Sequence, residues 1–313
     1  MAEPTILVVG SINMDLVVRA PHMPAPGETI LGQGFTTAPG GKGANQAVAA
    51  ARLGATCLFL GRVGDDEFGK ALLAGLVENG IHSHGVRVTE GVPTGVAVII
   101  VDQKGENSIV VASGANSYVT PDDVFEHEAL FAQADVVVMQ LELPIIAVMA
   151  ARKLAAKHGK PVILDPAPAR KNLPADLLNV DIITPNLTEA EILTNQRADE
   201  VSERVDKAMA TDLLQMGARS AVLKLGHRGS LVVSTNGEIA RVRPYKVDIV
   251  DTTAAGDAFT AALAMGLARG MELIDATQMA NAAGALACTR FGAQAAMPTA
   301  QEVRQLMAEQ PGM

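Results

Sequence analysis

Seven short, apolar, β-branched runs recur along the chain, at 6–9, 57–60, 136–139, 162–164, 182–184, 222–225 and 231–233. A strand with one wet face alternates apolar and polar residues, whereas an unbroken apolar run marks a strand buried on both faces. Helical patterns lie between most of these runs, at 43–53, 69–79, 145–158, 188–195, 202–216, 258–269 and 273–289. Strands and helices in alternation predict an α/β protein, a three-layer α-β-α sandwich on a doubly wound, mostly parallel sheet. Ligands of such sheets collect at the carboxyl ends of the strands, so residues that directly follow the apolar runs are the ones to inspect.

Two segments break the alternation. Residues 15–20 and 28–35, joined by the Pro/Gly-rich stretch 21–27, predict one hairpin; 94–101 and 107–112, turning at 102–105, predict another. No helix follows to cover them, so four antiparallel strands are expected to form a small β lid. The expected division is a discontinuous large α/β domain, at 1–14, 37–93 and 113–313, and a lid at 15–36 and 94–112. An exposed edge on that lid favours pairing with the lid of a second copy, as a homodimer.

Composition narrows the partners. With 49 % apolar and 19 % charged residues in 313, the chain can bury a large core. A net charge of −9 without a basic cluster argues against nucleic acid or an anionic membrane. Aromatics are 3 % with no Trp, which leaves few platforms for stacking a base. Cys57 and Cys288 lack CxxC spacing and fit a reduced, cytoplasmic setting. No basic, cleavable leader precedes the first strand, and no apolar run approaches the ~18 residues of a membrane span.

The chemistry concentrates in Asp251-Thr252-Thr253-Ala254-Ala255-Gly256-Asp257, just ahead of an apolar helical run. Small residues at a helix start leave backbone N–H groups bare, and the helix dipole adds positive potential there, which suits a phosphate. A carboxylate in that turn repels phosphate unless it takes a proton from a hydroxyl as the phosphoryl group arrives. The plainer alternative is a helix-start Asp favoured by the dipole.

Other strand ends offer polar groups, each with a plain alternative. Asn13 and Asp15 follow the first apolar run and could bind ligand hydroxyls or simply build a turn. Around Gly40-Gly41-Lys42-Gly43-Ala44-Asn45, glycines permit close backbone approach, so Lys42 or Asn45 could meet a polyol; the spacing is not that of a P-loop. Glu142 follows the 136–139 run, at a strand end or as a solvated helix-start residue. Asn186 and Glu189 read either as a capping box or as hard-oxygen groups near Mg²⁺. Lys224 to Gly229 joins two strands, as a hairpin or as a nucleotide-facing turn. His82 and His84 read as surface residues.

Asn13/Asp15, the Gly-Gly-Lys-Gly-Ala-Asn run, Asn186…Glu189 and Gly256-Asp257 occur together, in order, and resemble the PfkB family of ribokinase-like sugar kinases from Gly10 to about Pro298. The resemblance implies ATP-dependent phosphorylation of a sugar's primary hydroxyl, first of all O5 of D-ribose. It implies Asp257 as base and the amides of Ala254, Ala255 and Gly256 as anion hole. Asn13, Asp15, Gly41, Lys42, Asn45, Glu142 and Asp257 would hold the sugar. Asn186, Lys224, Gly226, Gly229, Gly256 and Asn281 would border ATP, and Glu189 would act on Mg²⁺ through water. A K⁺-like activator would sit at Asp251, Thr253, Ala287, Arg290 and Gly292. Ala296 departs from the family, which usually has a serine there, and Asn281 stands where histidine is common. A kinase for 2-deoxyribose is the same-class rival, and a sugar-binding protein without catalysis the rival of another class.

Overall fold

The first strand, β1 (Thr5–Val9), shows how the chain builds three layers. Successive strand side chains point to opposite faces, so Ile6 and Val8 join one apolar cluster and Leu7 and Val9 the other, all four fully buried. A computed structural model describes residues 3–196 and 202–311. The outer ends of the expected ranges 1–14 and 113–313, and residues 197–201, therefore lie outside the described residues.

After β1 come β2 (Asn13–Arg19), β3 (Gly34–Gly40), α1 (Lys42–Arg52), β4 (Thr56–Gly64), α2 (Glu67–Glu78), β5 (His82–Thr89), β6 (Gly95–Val101) and β7 (Asn107–Ala112). The middle of the chain gives α3 (Pro121–Glu126), α4 (Glu128–Gln133), β8 (Val136–Met139), α5 (Ile145–Lys157), β9 (Val162–Leu164), α6 (Ala175–Leu178), β10 (Ile182–Ile183) and α7 (Leu187–Thr194). Then follow α8 (Glu203–Gln215), β11 (Ser220–Lys224), β12 (Ser230–Ser234), β13 (Ile239–Val242), α9 (Ala255–Ala268), α10 (Leu273–Ala287) and α11 (Ala300–Glu309).

Nine strands among the described residues form the central sheet, in the order β13-β12-β11-β10-β9-β8-β1-β4-β5. From β11 to β5 every pairing is parallel; β12 and β13 add an antiparallel edge. Helices α1, α2, α9, α10 and α11 cover one face, and α4 to α8 the other. The doubly wound α/β expectation thus holds. β5 carries His82, Ser83, His84 and Arg87, and that polarity hid it as a strand; as an outer strand it needs less apolar surface. α11 is also new, started by a capping box in which Thr299 and Glu302 satisfy each other's backbone.

The four remaining strands pair as β3-β2-β6-β7. Each hairpin is antiparallel, and the seam between them, β2 with β6, is parallel. The 94–112 hairpin pairs Val101 with Asn107 around the anticipated turn. The first hairpin differs from the expected 28–35: the ladder closes at Arg19 with Gly34, and the returning strand runs to Gly40. Ile30 and Leu31 drew the reading forward, yet Leu31 is 89 % exposed in the long connection. The β-branched Thr36 and Thr37 carry the strand instead, and Pro39 is tolerated because β3 is an edge. This sheet therefore reaches residues 13 and 40, past the 15–36 boundary.

Candidate active site

Asp257 is the third residue of α9, where a carboxylate can turn back to cap its own helix. It does not. Its two oxygens accept hydrogen bonds from residues more than two hundred positions away, Asn45 Nδ2 at 2.9 Å and Gln46 Nε2 at 3.1 Å. No side chain caps α9, whose first residues line the wall of a cleft. At the cap position, Ala254 has φ of 58°, a left-handed conformation that a non-glycine residue adopts at a cost of roughly 1 kcal/mol or more. The Ala255 N–H is turned back on the Thr252 carbonyl at 3.3 Å, so one of the three amides expected in the anion hole is already engaged.

α1 delivers Asn45 and Gln46 to Asp257 because its start is pressed against the end of β1. Gly41, with φ of 89°, turns the chain into the helix; a Cβ there would stand 2.7 Å from the Asn13 amide nitrogen. Helices α9 and α10 also cross closely, a Cβ on Gly266 falling 2.7 Å from that of Ala276. Small residues thus set how near the site's three helices lie to one another and to the sheet.

The remaining sugar-site candidates converge on the same point. The Lys42 amide donates to Glu142 Oε2 at 3.1 Å, and the Ser11 hydroxyl donates to the same oxygen. Asp15 lies over Gly40, where a Cβ would come within 2.3 Å of both carboxylate oxygens. Asn13 is buried, and its Oδ1 accepts from Asn116 Nδ2 at 2.7 Å. Asn45 Oδ1 is buried with no partner among the described residues, an acceptor left for a ligand hydroxyl.

Crowding these carboxyls shifts their titration. Burial, with a further push from Asp165 against the pull of Lys42, raises Asp257 to about 6. Burial, then the charges of Glu142 and Asp257, raise Asp15 to about 7. Burial alone would depress the Lys42 ammonium, but Asp257, Asp165, Glu142 and Glu189 together lift it above its ordinary value.

A cleft of about 800 Å³ opens from Asp257 along the strand ends. It is lined by Lys42, Asn186, Lys224, Gly226, Gly229, Gly256 and Asn281, so all the nucleotide candidates share one cavity with the candidate base. Asn186 and Glu189 do form the capping box: Glu189 N–H donates to Asn186 Oδ1 at 2.8 Å, and Asn186 N–H to Glu189 Oε2 at 2.7 Å. The capping reading thus holds, and Glu189 also lies on the wall of the cleft. Asn281 is braced by Ser230 and by the Val242 and Arg243 carbonyls. His82 and His84 are exposed on β5, away from the cleft.

The monovalent-cation candidates fall on two loops laced together. Asp251 Oδ1 accepts from Thr253 N–H and hydroxyl at 2.9 and 2.6 Å, and Oδ2 accepts from Gly292 N–H at 2.9 Å. Burial would raise Asp251, yet these hydrogen bonds hold it below its ordinary value. Arg290 turns its side chain to Glu302, which leaves only its carbonyl for a cation, and Ala296 is fully buried with no side-chain oxygen.

Sequence reading missed Gln46, Asp165, Gln140 and Asn116. Asp165 had a signal, being a carboxylate directly after the apolar run of β9. Gln46 had none, because its role depends on two carboxylates 119 and 211 residues away.

Comparison with known proteins agrees with the geometry. The family model "pfkB family carbohydrate kinase" matches residues 3–300. A ribokinase of Haemophilus influenzae is 42 % identical over 97 % of this chain and 98 % of its own, and one of Schizosaccharomyces pombe is 43 % identical over 95 % and 96 %. The structure of Arabidopsis thaliana ribokinase complexed with ribose and ATP superposes with a TM-score of 0.87 at 34 % identity, over 98 % of this chain and 99 % of that one. With the family match running nearly end to end, this chain belongs to the pfkB family of carbohydrate kinases.

Proposed function

We propose that this protein transfers the γ-phosphoryl group of ATP to O5 of D-ribose, giving ADP and D-ribose 5-phosphate. One observation carries the reading: Asp257, buried in the first turn of the uncapped α9, accepts from Asn45 of α1 and lines the cleft shared by the nucleotide candidates. The sugar hydroxyl attacks the γ-phosphorus, the bond to the bridging oxygen of ADP breaks, and the hydroxyl proton passes to the Asp257 carboxylate. Asp15 and Glu142 accept from sugar hydroxyls, Asn13, Gly41, Lys42 and Asn45 complete the polyol site, and the amides of Ala254 and Gly256 face the transferred group, that of Ala255 being held by the Thr252 carbonyl. Asn186, Lys224, Gly226, Gly229 and Asn281 border the nucleotide. The segments 15–36 and 94–112 close over the sugar and keep out water, which competes for the phosphoryl group.

Glu189 offers one carboxylate, already sharing an oxygen with a backbone amide, which suits Mg²⁺ that keeps its waters and its nucleotide phosphates. Bound there, Mg²⁺ would neutralise phosphate charge. The Asp251 loops offer one carboxylate among backbone carbonyls at Thr253, Ala287, Arg290 and Gly292, a weakly charged donor set that suits K⁺ rather than a divalent ion. With no hydroxyl at Ala296, a carbonyl or water would take that place around K⁺. The free cysteines, Cys57 and Cys288, fit a cytoplasmic setting.

The test is ADP release with ribose, 2-deoxyribose, fructose and adenosine, with and without K⁺. Ribose with K⁺ is expected to be fastest; a site built around the 2-hydroxyl can reject deoxyribose by up to ~10⁴. ADP release with adenosine alone, or with none of the sugars, overturns the reading.

The acid side of the pH profile follows from the raised carboxyls. A base must be ionised to accept a proton, so activity is full above its pKa and lost below it. With Asp257 at about 6 and Asp15 at about 7, kcat/KM for ribose is expected to fall as the pH drops from 7 to 6. A flat profile down to pH 5 would remove Asp257 from the base role.

The small sheet leaves Phe35, Val98, Ile109, Val110 and Val111 exposed, Val110 by 70 %. Pairing of two such sheets would cover those on one face, such as Val98 and Val110, so a dimer mass is expected in light scattering. A strict monomer at micromolar concentration would rule this out.

A further inference from the structure

Beneath the candidate base lies a buried polar chain that none of the roles above uses. Gln140 Nε2 donates to Gln46 Oε1 at 2.6 Å, and Gln46 Nε2 then spends its two hydrogens on two carboxylates, Asp257 Oδ1 at 3.1 Å and Asp165 Oδ2 at 2.9 Å. The other oxygen of Asp165 accepts from Lys224 Nζ at 2.9 Å. Asp165 and Gln46 are buried, at 1 and 0 % exposure, whereas Lys224 keeps its ammonium on the wall of the cleft. That ammonium stands 3.3 Å from where a Cβ on Gly256 would be, directly over the uncapped start of α9.

Stability alone is a poor account of such an arrangement. Buried ion pairs lose in desolvation much of what they gain in attraction. Placement is the better account. Lysine is a point charge on a flexible stem, and a fixed partner is what localises it. An ammonium has three donors; Asp165 takes one, which leaves two for oxygens of a phosphoryl group arriving at Gly256.

We propose that Asp165 is a positioning residue for phosphoryl transfer. It holds Lys224 where the transferred phosphate meets the amino end of α9. The proposal rests on the kinase reading above and adds a residue and a role to it. Lys224 is thereby more than a border of the nucleotide site: its charge offsets the negative charge gathered on the phosphoryl oxygens in transit.

The test is a double-mutant cycle with Asp165→Asn, Lys224→Met and the pair, read as kcat, KM for ribose and for MgATP, and melting temperature. If Asp165 acts through Lys224, Asp165→Asn lowers kcat by at least ~10-fold with KM for ribose within ~3-fold, and the double variant turns over no more slowly than Lys224→Met alone. Lys224→Arg, which keeps the charge, is expected to retain more turnover than Lys224→Met. Multiplying effects in the double variant, an unchanged kcat in Asp165→Asn, or kcat losses that only follow a fall in melting temperature would each overturn the proposal. Should Asp165→Asn fold poorly, the double variant carries no unpaired buried charge, and its comparison with Lys224→Met alone still decides. The wild-type chain serves as the separate control: no sugar-dependent ADP release from it refutes the kinase reading, whereas normal wild-type turnover with an additive cycle refutes only the role of Asp165.

Discussion

Replacing Asp257 by Asn is expected to lower kcat by at least ~10² while leaving ribose affinity nearly intact. The substitution keeps the shape of the side chain and removes only its capacity to take a proton. Asn45 and Gln46 each donate to one carboxylate oxygen, so an amide at 257 faces one donor with another and loses one hydrogen bond, a modest change beside the loss of the base. Steady-state kinetics together with calorimetric titration of ribose separate the two effects. Wild-type turnover in this variant would mean that another group, or water, takes the proton.

The second large effect comes from a residue with no functional group. A Cβ at Gly43 would stand 2.6 Å from Gly10 Cα, 2.6 Å from the Ser11 nitrogen and 2.7 Å from the Gly10 carbonyl carbon. All three are backbone, so no side-chain rotation relieves the contact, and α1 must back away from the end of β1. Overpacking of this kind costs about 1–3 kcal/mol. The same shift moves Lys42, Asn45 and Gln46 away from Asp257, and a displacement near 1 Å at a reacting centre costs ~10² in rate. Gly43→Ala is therefore expected to lose both melting temperature and at least ~10² in kcat. Gly75, inside α2 with nothing within 4 Å of an added Cβ, supplies the control: Gly75→Ala should leave activity unchanged and hold or raise stability. Equal behaviour of the two alanine variants would show that the approach of α1 to β1 is looser than this geometry requires.

Much of the architecture was legible because it follows local rules. Unbroken apolar runs such as Val136–Met139 can only be strands covered on both faces, and the Ala-rich run after Gly256 can only be a helix buried nearly all round. The elements that escaped were those whose burial is partial. β5 is polar because it lies at the edge of the sheet, and the second strand of the first hairpin slid to Gly34–Gly40 because Ile30 and exposed Leu31 imitate a strand pattern that no neighbour pairs.

The site divides in the same way. Asp257 and the glycine turn stood out by type and spacing, since a carboxylate beside bare helix-start amides is chemically odd unless it moves a proton. Gln46 did not, because nothing in an amide in the first turns of a helix says that it donates to a carboxylate 211 residues away. By itself the sequence determined the buried strands, the apolar helices between them and the bare glycine turn ahead of α9, because backbone sterics and apolar burial act over a few residues. Only the tertiary structure decided that α1, β9, β11 and α9 meet at one buried point, because that meeting depends on helices held close by Gly41, Gly43 and Gly266 and on charges whose neighbours are distant in the chain.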